Sequence, residues 1–152
     1  MLPAFDSDVA WELGTIIRTC LQRKYEHPAV VYIAHANSSQ LLFFATSRPG
    51  TLPDNMLCVK RKEAVVLRWG TSSLRMLSQV RGHGMESIKA RFGIVDQSAY
   101  VFHGGGFPVR VKNVEGIVGV IVVDGLKHED DHGVIVDCIQ EYLAPNSPKY
   151  LK

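Results

Sequence analysis

The sequence has no apolar run long enough to cross a membrane and no large excess of one charge. A spanning helix needs about 20 consecutive apolar residues, and the densest apolar stretch, residues 116–123, is far shorter. The 17 basic and 15 acidic residues give a net charge of +2, which does not indicate binding to nucleic acid or to an anionic membrane. Residues 1–6 lack a basic region before an apolar run, so we expect no secretory signal peptide.

Cysteine is scarce, and the common short cofactor motifs are missing. The three cysteines, Cys20, Cys58 and Cys138, are odd in number and far apart. This usage predicts reduced thiols in a reducing, cytoplasmic compartment. The sequence contains no Walker sequence, no Gly-x-Gly-x-x-Gly and no Cys-x-x-Cys-His. Because haem bound without a covalent bond leaves little trace in a sequence, these absences do not decide whether the chain binds haem.

The sequence does contain enough apolar residues for one globular domain. Hydrophobic residues make up 46% of the 152 positions and charged residues 21%, which are ordinary values for a folded domain. We therefore predict a single domain over residues 1–152, with a core from about residue 5 to residue 144. The two prolines Pro145 and Pro148 end the last helical pattern, and residues 145–152 are predicted to form a flexible tail.

The spacing of apolar residues predicts the element order α–ββ–α–βββ–α. Paired strands joined by short turns imply antiparallel pairing, so the expected fold is α+β, with helices flanking an antiparallel sheet. Pro108 cannot donate a backbone hydrogen bond, which favours an edge strand for its segment. The predicted helices cover residues 7–27, 51–83, 86–92 and 129–143, and residues 70–73 are a candidate interruption of the second. The predicted strands cover residues 29–35, 40–46, 99–103, 107–111 and 117–123.

The segment His128-Glu-Asp-Asp-His132 matches the zinc-protease signature HExxH. We reject the zinc interpretation, because the segment begins a helix directly after a strand and its acidic residues are those that a helix start favours. His132, beside Asp131, is then either a haem or metal ligand, a general base, or a hydrogen-bonded structural residue.

The segment His103-Gly-Gly-Gly106 resembles the oxyanion loop of lipases and esterases. That chemistry also needs a Gly-x-Ser-x-Gly nucleophile elbow, which the sequence lacks, so we reject a serine hydrolase. Three glycines allow positive φ angles and close backbone approach. Their N–H groups either form an anion-binding nest or belong to a strained turn between two strands.

Arg110 follows this loop on a segment predicted to be extended. Its guanidinium group suits a carboxylate ligand, and an ion pair with Asp131 or Asp124 is the structural alternative. Arg61 and Lys62 could likewise bind a ligand or have a structural role, and for these two residues we favour a position on an exposed helix face.

Four short sequence blocks lie in order along the chain. They are Asp8-Val-Ala-Trp-Glu-Leu-Gly14, Pro49-Gly-Thr-Leu-Pro-Asp-Asn55 with Arg61-Lys62, His103-Gly-Gly-Gly-Phe-Pro-Val-Arg110, and Gly125-Leu126 with Asp131-His132. Each block alone is a weak signal, but together they resemble the UPF0303 family, a branch of the haem-degrading HbpS/GlcG-like domains. The chain departs from the usual Gly-Leu-Pro-Gln run of that family, because Lys127 and His128 replace the last two residues.

The resemblance implies a profilin-like fold, with an antiparallel sheet between helices, in agreement with the predicted element order. It also implies a homo-oligomer and a role with haem or another small molecule. Some eukaryotic relatives are tied to chaperones of tail-anchored protein delivery, so the alternative is a non-enzymatic oligomeric scaffold with chaperone partners. The resemblance implies no established reaction, and whether the chain is an enzyme stays open.

Our first hypothesis is therefore a cytosolic, homo-oligomeric domain that binds haem or another small anionic ligand. In this hypothesis the glycine N–H groups and Arg110 neutralise the carboxylates of the ligand. We expect no resident metal ion, no nucleic acid and no insertion into a membrane. The predicted ligand-binding residues are His103, Gly104, Gly105, Gly106, Arg110, Asp131 and His132.

Overall fold

A computed structural model describes residues 1–145 of the chain. Apart from Pro145, the predicted tail of residues 145–152 lies outside the described residues. A short 3-10 helix, Gln97–Ala99, precedes the third strand. The helices are α1 (Ser7–Lys24), α2 (Pro53–Trp69), α3 (Ser73–His83), α4 (Met85–Phe92) and α5 (His128–Leu143), and the strands are β1 (Val30–His35), β2 (Leu41–Thr46), β3 (Gly106–Val109) and β4 (Gly119–Asp124).

The four strands form one antiparallel sheet in the order β2-β1-β4-β3. The central strands β1 and β4 are buried along almost their whole length, which agrees with their near-continuous Val and Ile content. Pro108 pairs with Val120 on the edge strand β3, so the predicted edge position is confirmed.

Alternate residues of the central strands face two different helical layers. Val31 and Ile33 of β1 pack with residues of α1 and α5 on one face of the sheet. Val30 and Tyr32 pack with α2 on the other face. The sheet is therefore covered by helices on both faces, and the predicted α+β class with flanking helices is confirmed.

The first helix begins where its sequence predicts. The carboxylate of Asp6 accepts a hydrogen bond from the backbone N–H of Val9 at 2.9 Å and caps the helix. One face of α1 then buries Leu13, Ile17 and Leu21 against the sheet. Within residues 1–145, no helix combines the length and the apolar character of a membrane span.

The predicted strand over residues 99–103 is wrong, and the segment 51–83 forms two helices. Tyr100 and Phe102 do not pair with the sheet; their rings pack on Trp69, with centroids 5.1 and 5.6 Å from its ring. Gly70 adopts a left-handed conformation (φ 63°) and ends α2. Ser72 then caps α3, so the candidate interruption at residues 70–73 is confirmed.

Candidate functional site

The glycine loop lies directly against the start of α5 and the end of β4. A Cβ atom at Gly104 would come within 2.2 Å of the carbonyl oxygen of His128, and one at Gly105 within 2.3 Å of that of Val123. Gly105 also has a φ of +123°, which side-chain-bearing residues rarely adopt. The loop therefore needs glycine at both positions to pack this closely.

The glycines of this loop are buried, and two of their backbone groups form internal hydrogen bonds. Gly104, Gly105 and Gly106 are all buried. The N–H of Gly106 donates to the hydroxyl of Ser73 at 2.9 Å, and the carbonyl of Gly105 accepts from the N–H of Val123 at 2.9 Å. This geometry favours the strained-turn interpretation of the glycines over the anion-binding nest.

Beneath the loop lies a buried ionic network centred on Lys62. Its ammonium group is 2.9 Å from a carboxylate oxygen of Asp124 and 3.2 Å from one of Asp131. It also donates to the carbonyl of Val123 at 3.1 Å. The Lys62 ammonium group of α2 thus links the end of β4 to the first turn of α5. The glycine loop packs against both of these elements.

The expectation that Lys62 lies on an exposed helix face is wrong. Lys62 is 2% exposed, whereas its neighbour Arg61 is exposed. Val59 and Val66 of α2 are fully buried, and Lys62 lies three residues after the first and four before the second. The helical period therefore places it on the buried face, a signal that was available in the sequence.

Asp131 is a buried carboxylate that holds the turn before α5. Its two oxygens accept hydrogen bonds from the backbone N–H of Leu126, at 3.1 Å, and from Lys62. Burial raises the pKa of Asp131 from 3.8 to about 6, and the positive charge of Lys62 opposes this rise. Both oxygens face inward and Asp131 is 1% exposed, so its position supports the loop rather than a ligand contact.

Three histidines line the surface beside the glycine loop. The exposed ring of His103 has its centroid 5.8 Å from that of His128. The Nδ1 atoms of His128 and His132 are buried and have no hydrogen-bond partner among the described residues. Partial burial and the nearby charges of His128 and Lys62 lower the pKa of His103, and burial lowers that of His132. The lowered pKa values of both rings favour the neutral imidazole, the form that binds metals. We call His103, His128 and His132 the histidine face.

Arg110 does not join the other predicted site residues. Its guanidinium donates to the carbonyl of Gly70 at the end of α2, and it forms no ion pair with Asp124 or Asp131 within residues 1–145. The ion-pair alternative for Arg110 is therefore wrong, since Lys62 occupies both carboxylates.

The fold thus brings together six of the seven predicted site residues, namely residues 103–106 with Asp131 and His132. Sequence reasoning did not include Lys62, Asp124 or Ser73 in the site. Asp124 and Ser73 carried no usable signal, because their contacts depend on how α2 and α3 pack against the sheet. Among residues 1–145, no three His, Cys, Asp or Glu side chains lie close enough together to hold a metal ion.

Comparison with known proteins relates this chain to one family. The model of the family described as haem-degrading HbpS-like matches residues 5–140. A UPF0303 protein of Zymomonas mobilis is 36% identical over 143 residues, which are 94% of this chain and 73% of that protein. One of Streptomyces coelicolor is 37% identical over 140 residues, covering 92% and 84% of the two chains.

Solved structures with the same fold extend this relation. The crystal structure of Ybr137w protein has a TM-score of 0.86 and 28% identity over 99% of this chain and 83% of that one. HbpS has a TM-score of 0.68 at 17% identity, over 95% and 93% of the two chains. A PduOC:heme complex also has a TM-score of 0.68, at 19% identity over 90% and 93%. The profilin-like fold is confirmed, and this chain belongs to the HbpS-like family, in its UPF0303 branch.

Proposed function

We propose that this chain binds haem, or another small anionic ligand, at the histidine face. The observation that carries the proposal is the exposed, neutral imidazole of His103 beside two histidines whose buried Nδ1 atoms have no partner among the described residues. An unpartnered buried polar atom is costly and calls for an explanation, and a bound ligand at this face would supply one. The haem-degrading description of the family and the haem-bound neighbour support the choice of haem.

The residues present fit the iron of haem better than they fit its carboxylates. Haem binding through protein side chains most often uses a neutral imidazole, which His103 offers at the surface. Lys62 is buried and already paired, and Arg110 is bonded to Gly70. We therefore withdraw Arg110 from the proposed haem site. Gly104–Gly106 and Asp131 keep a positioning role, because they fix the loop against α5.

Titration of the protein with hemin tests this proposal. We expect a saturable shift of the Soret band in the wild type and a loss of affinity of about tenfold or more in His103→Ala, because the ligand to iron is gone. His132→Ala should weaken binding as well. His27→Ala removes an exposed histidine outside the histidine face and is the matched control. Equal hemin affinity in the wild type and in His103→Ala would refute the site.

We also keep the prediction of a homo-oligomer as a proposal. Among residues 1–145, no strand pairs with the outer edge of β2, and Leu41, Phe44 and the nearby Trp11 of α1 are exposed. An open edge with apolar side chains is a usual site of pairing with another chain. Sedimentation equilibrium should show a multimer that Leu41→Lys weakens; a wild-type monomer at micromolar concentration would exclude it.

The alternative role as an oligomeric scaffold for chaperones stays a prediction from the family resemblance. If this role is correct, affinity capture of the protein from cell extract should recover chaperones and no cofactor. Recovery of a stoichiometric small molecule would favour the ligand-binding proposal instead.

A further inference from the structure

A concave surface apart from the histidine face lies where the end of α2 meets α3, α4 and β3. Its volume is about 490 Å³, and three arginines line it: Arg75 of α3, Arg91 of α4, and Arg110 directly after β3. None of the three histidines of the histidine face lines it. We call this surface the arginine pocket.

Within residues 1–145, no carboxylate neutralises the positive charge of the arginine pocket. The described residues that line it include no Asp or Glu. Within residues 1–145, Arg75, Arg91 and Arg110 have no carboxylate oxygen within 4.0 Å and form no ion pair. Three like charges that line one pocket repel one another. An anion bound among them would remove this repulsion.

The arginine pocket also has an apolar wall of aromatic residues, and a hydrogen bond fixes the position of one of its arginines. Trp69 and Phe92, whose ring centroids are 5.4 Å apart, line the pocket. The guanidinium of Arg91 lies 5.1 Å from the Phe92 ring centroid. Arg110 is held in place by its bond to the Gly70 carbonyl, which uses only one of its five N–H groups. The remaining donors of Arg110 are available to a ligand.

We propose that the arginine pocket binds a small molecule that carries a phosphate group next to an apolar or aromatic moiety. Arginine forms paired hydrogen bonds to phosphate oxygens, and three arginines match the charge of a phosphate monoester better than that of one carboxylate. The apolar moiety packs against Trp69 and Phe92. This site is separate from the proposed haem site, and neither proposal depends on the other.

Calorimetric titration with phenyl phosphate tests the proposal. The wild type should bind it, with inorganic phosphate binding more weakly and benzyl alcohol not binding. Arg75→Gln and Arg91→Gln, both at exposed positions, should each weaken phenyl phosphate binding about tenfold or more, because each removes a charged hydrogen-bond donor. Circular dichroism checks that the variants fold.

Arg81→Gln is the matched control, since Arg81 is an exposed arginine of α3 that does not line the pocket. It should leave phenyl phosphate binding unchanged within about twofold. If the wild type does not bind phenyl phosphate, the proposal is overturned. It is also overturned if Arg81→Gln loses as much affinity as Arg75→Gln, because the ligand would then be attracted by the overall positive charge and not by the pocket. Inorganic phosphate that binds as tightly as phenyl phosphate would overturn the role of the apolar side. Hemin titration of Arg75→Gln should match the wild type, which separates this test from that of the histidine face.

Discussion

Replacing Lys62 by methionine should destabilise the protein strongly, because it leaves the buried carboxylate of Asp131 and the partly buried carboxylate of Asp124 without their common cation. The ammonium group is 2.9 and 3.2 Å from the carboxylates of Asp124 and Asp131 and also bonds the carbonyl of Val123. Removing one partner of a buried ion pair costs about 3–5 kcal/mol. We expect Lys62→Met to lower the free energy of unfolding by this amount at pH 8.

The loss should depend on pH, since the carboxylates can take up protons. Without Lys62, the pKa of Asp131 rises further above its value of about 6, and each unit corresponds to about 1.4 kcal/mol. Urea denaturation should therefore show a smaller loss at pH 5 than at pH 8. Lys24→Met is the control, because Lys24 and its partner Asp137 are both more than half exposed, and such a surface ion pair is worth at most about 1 kcal/mol. A loss below about 1 kcal/mol for Lys62→Met at pH 8 would refute the reasoning.

Two further predictions concern the loop and its support. Gly105→Ala should lower the free energy of unfolding by about 2–4 kcal/mol, because the new Cβ would meet the Val123 carbonyl and the φ of Gly105 is +123°. Gly133→Ala lies at a helical position with open space and should raise the free energy of unfolding by about 0.5–1 kcal/mol. Thermal unfolding should therefore show shifts of opposite sign for the two variants. Folding raises the pKa of Asp131 from 3.8 to about 6. The protonated carboxyl therefore favours the folded state below about pH 4, and the protein loses about 3 kcal/mol of this stability as the pH rises through about 6. Asp131→Asn should remove this component from urea curves measured between pH 4 and 7, and an unchanged pH dependence would contradict the assignment.

Much of the fold was predictable because its signals are local. The Asp6 cap, the apolar face of α1, the Val- and Ile-rich central strands and the edge position of Pro108 each follow from a few neighbouring residues. The strand predicted over residues 99–103 was wrong for a non-local reason. Alternating aromatic residues fit a sheet surface, but here Tyr100 and Phe102 pack on Trp69 of α2, and a local pattern does not reveal that partner.

The sequence predicted which segments form the candidate site, but it did not predict all of the residues that meet there. The glycine loop and the start of α5 were expected to meet, and they do. Lys62 lies about 60 residues before its partners Asp124 and Asp131, so only the packing of α2 on the sheet brings them together. Arg110 follows the loop closely in sequence, yet the course of β3 carries it to Gly70 and away from the histidines.

The most direct test of the central claim is a crystal structure of the protein with bound hemin. We predict that the iron is bonded to a ring nitrogen of His103 and that the macrocycle lies over the histidine face. Iron bonded to a histidine outside this face, such as His27, His35 or His83, or hemin seated in the arginine pocket, would contradict the account.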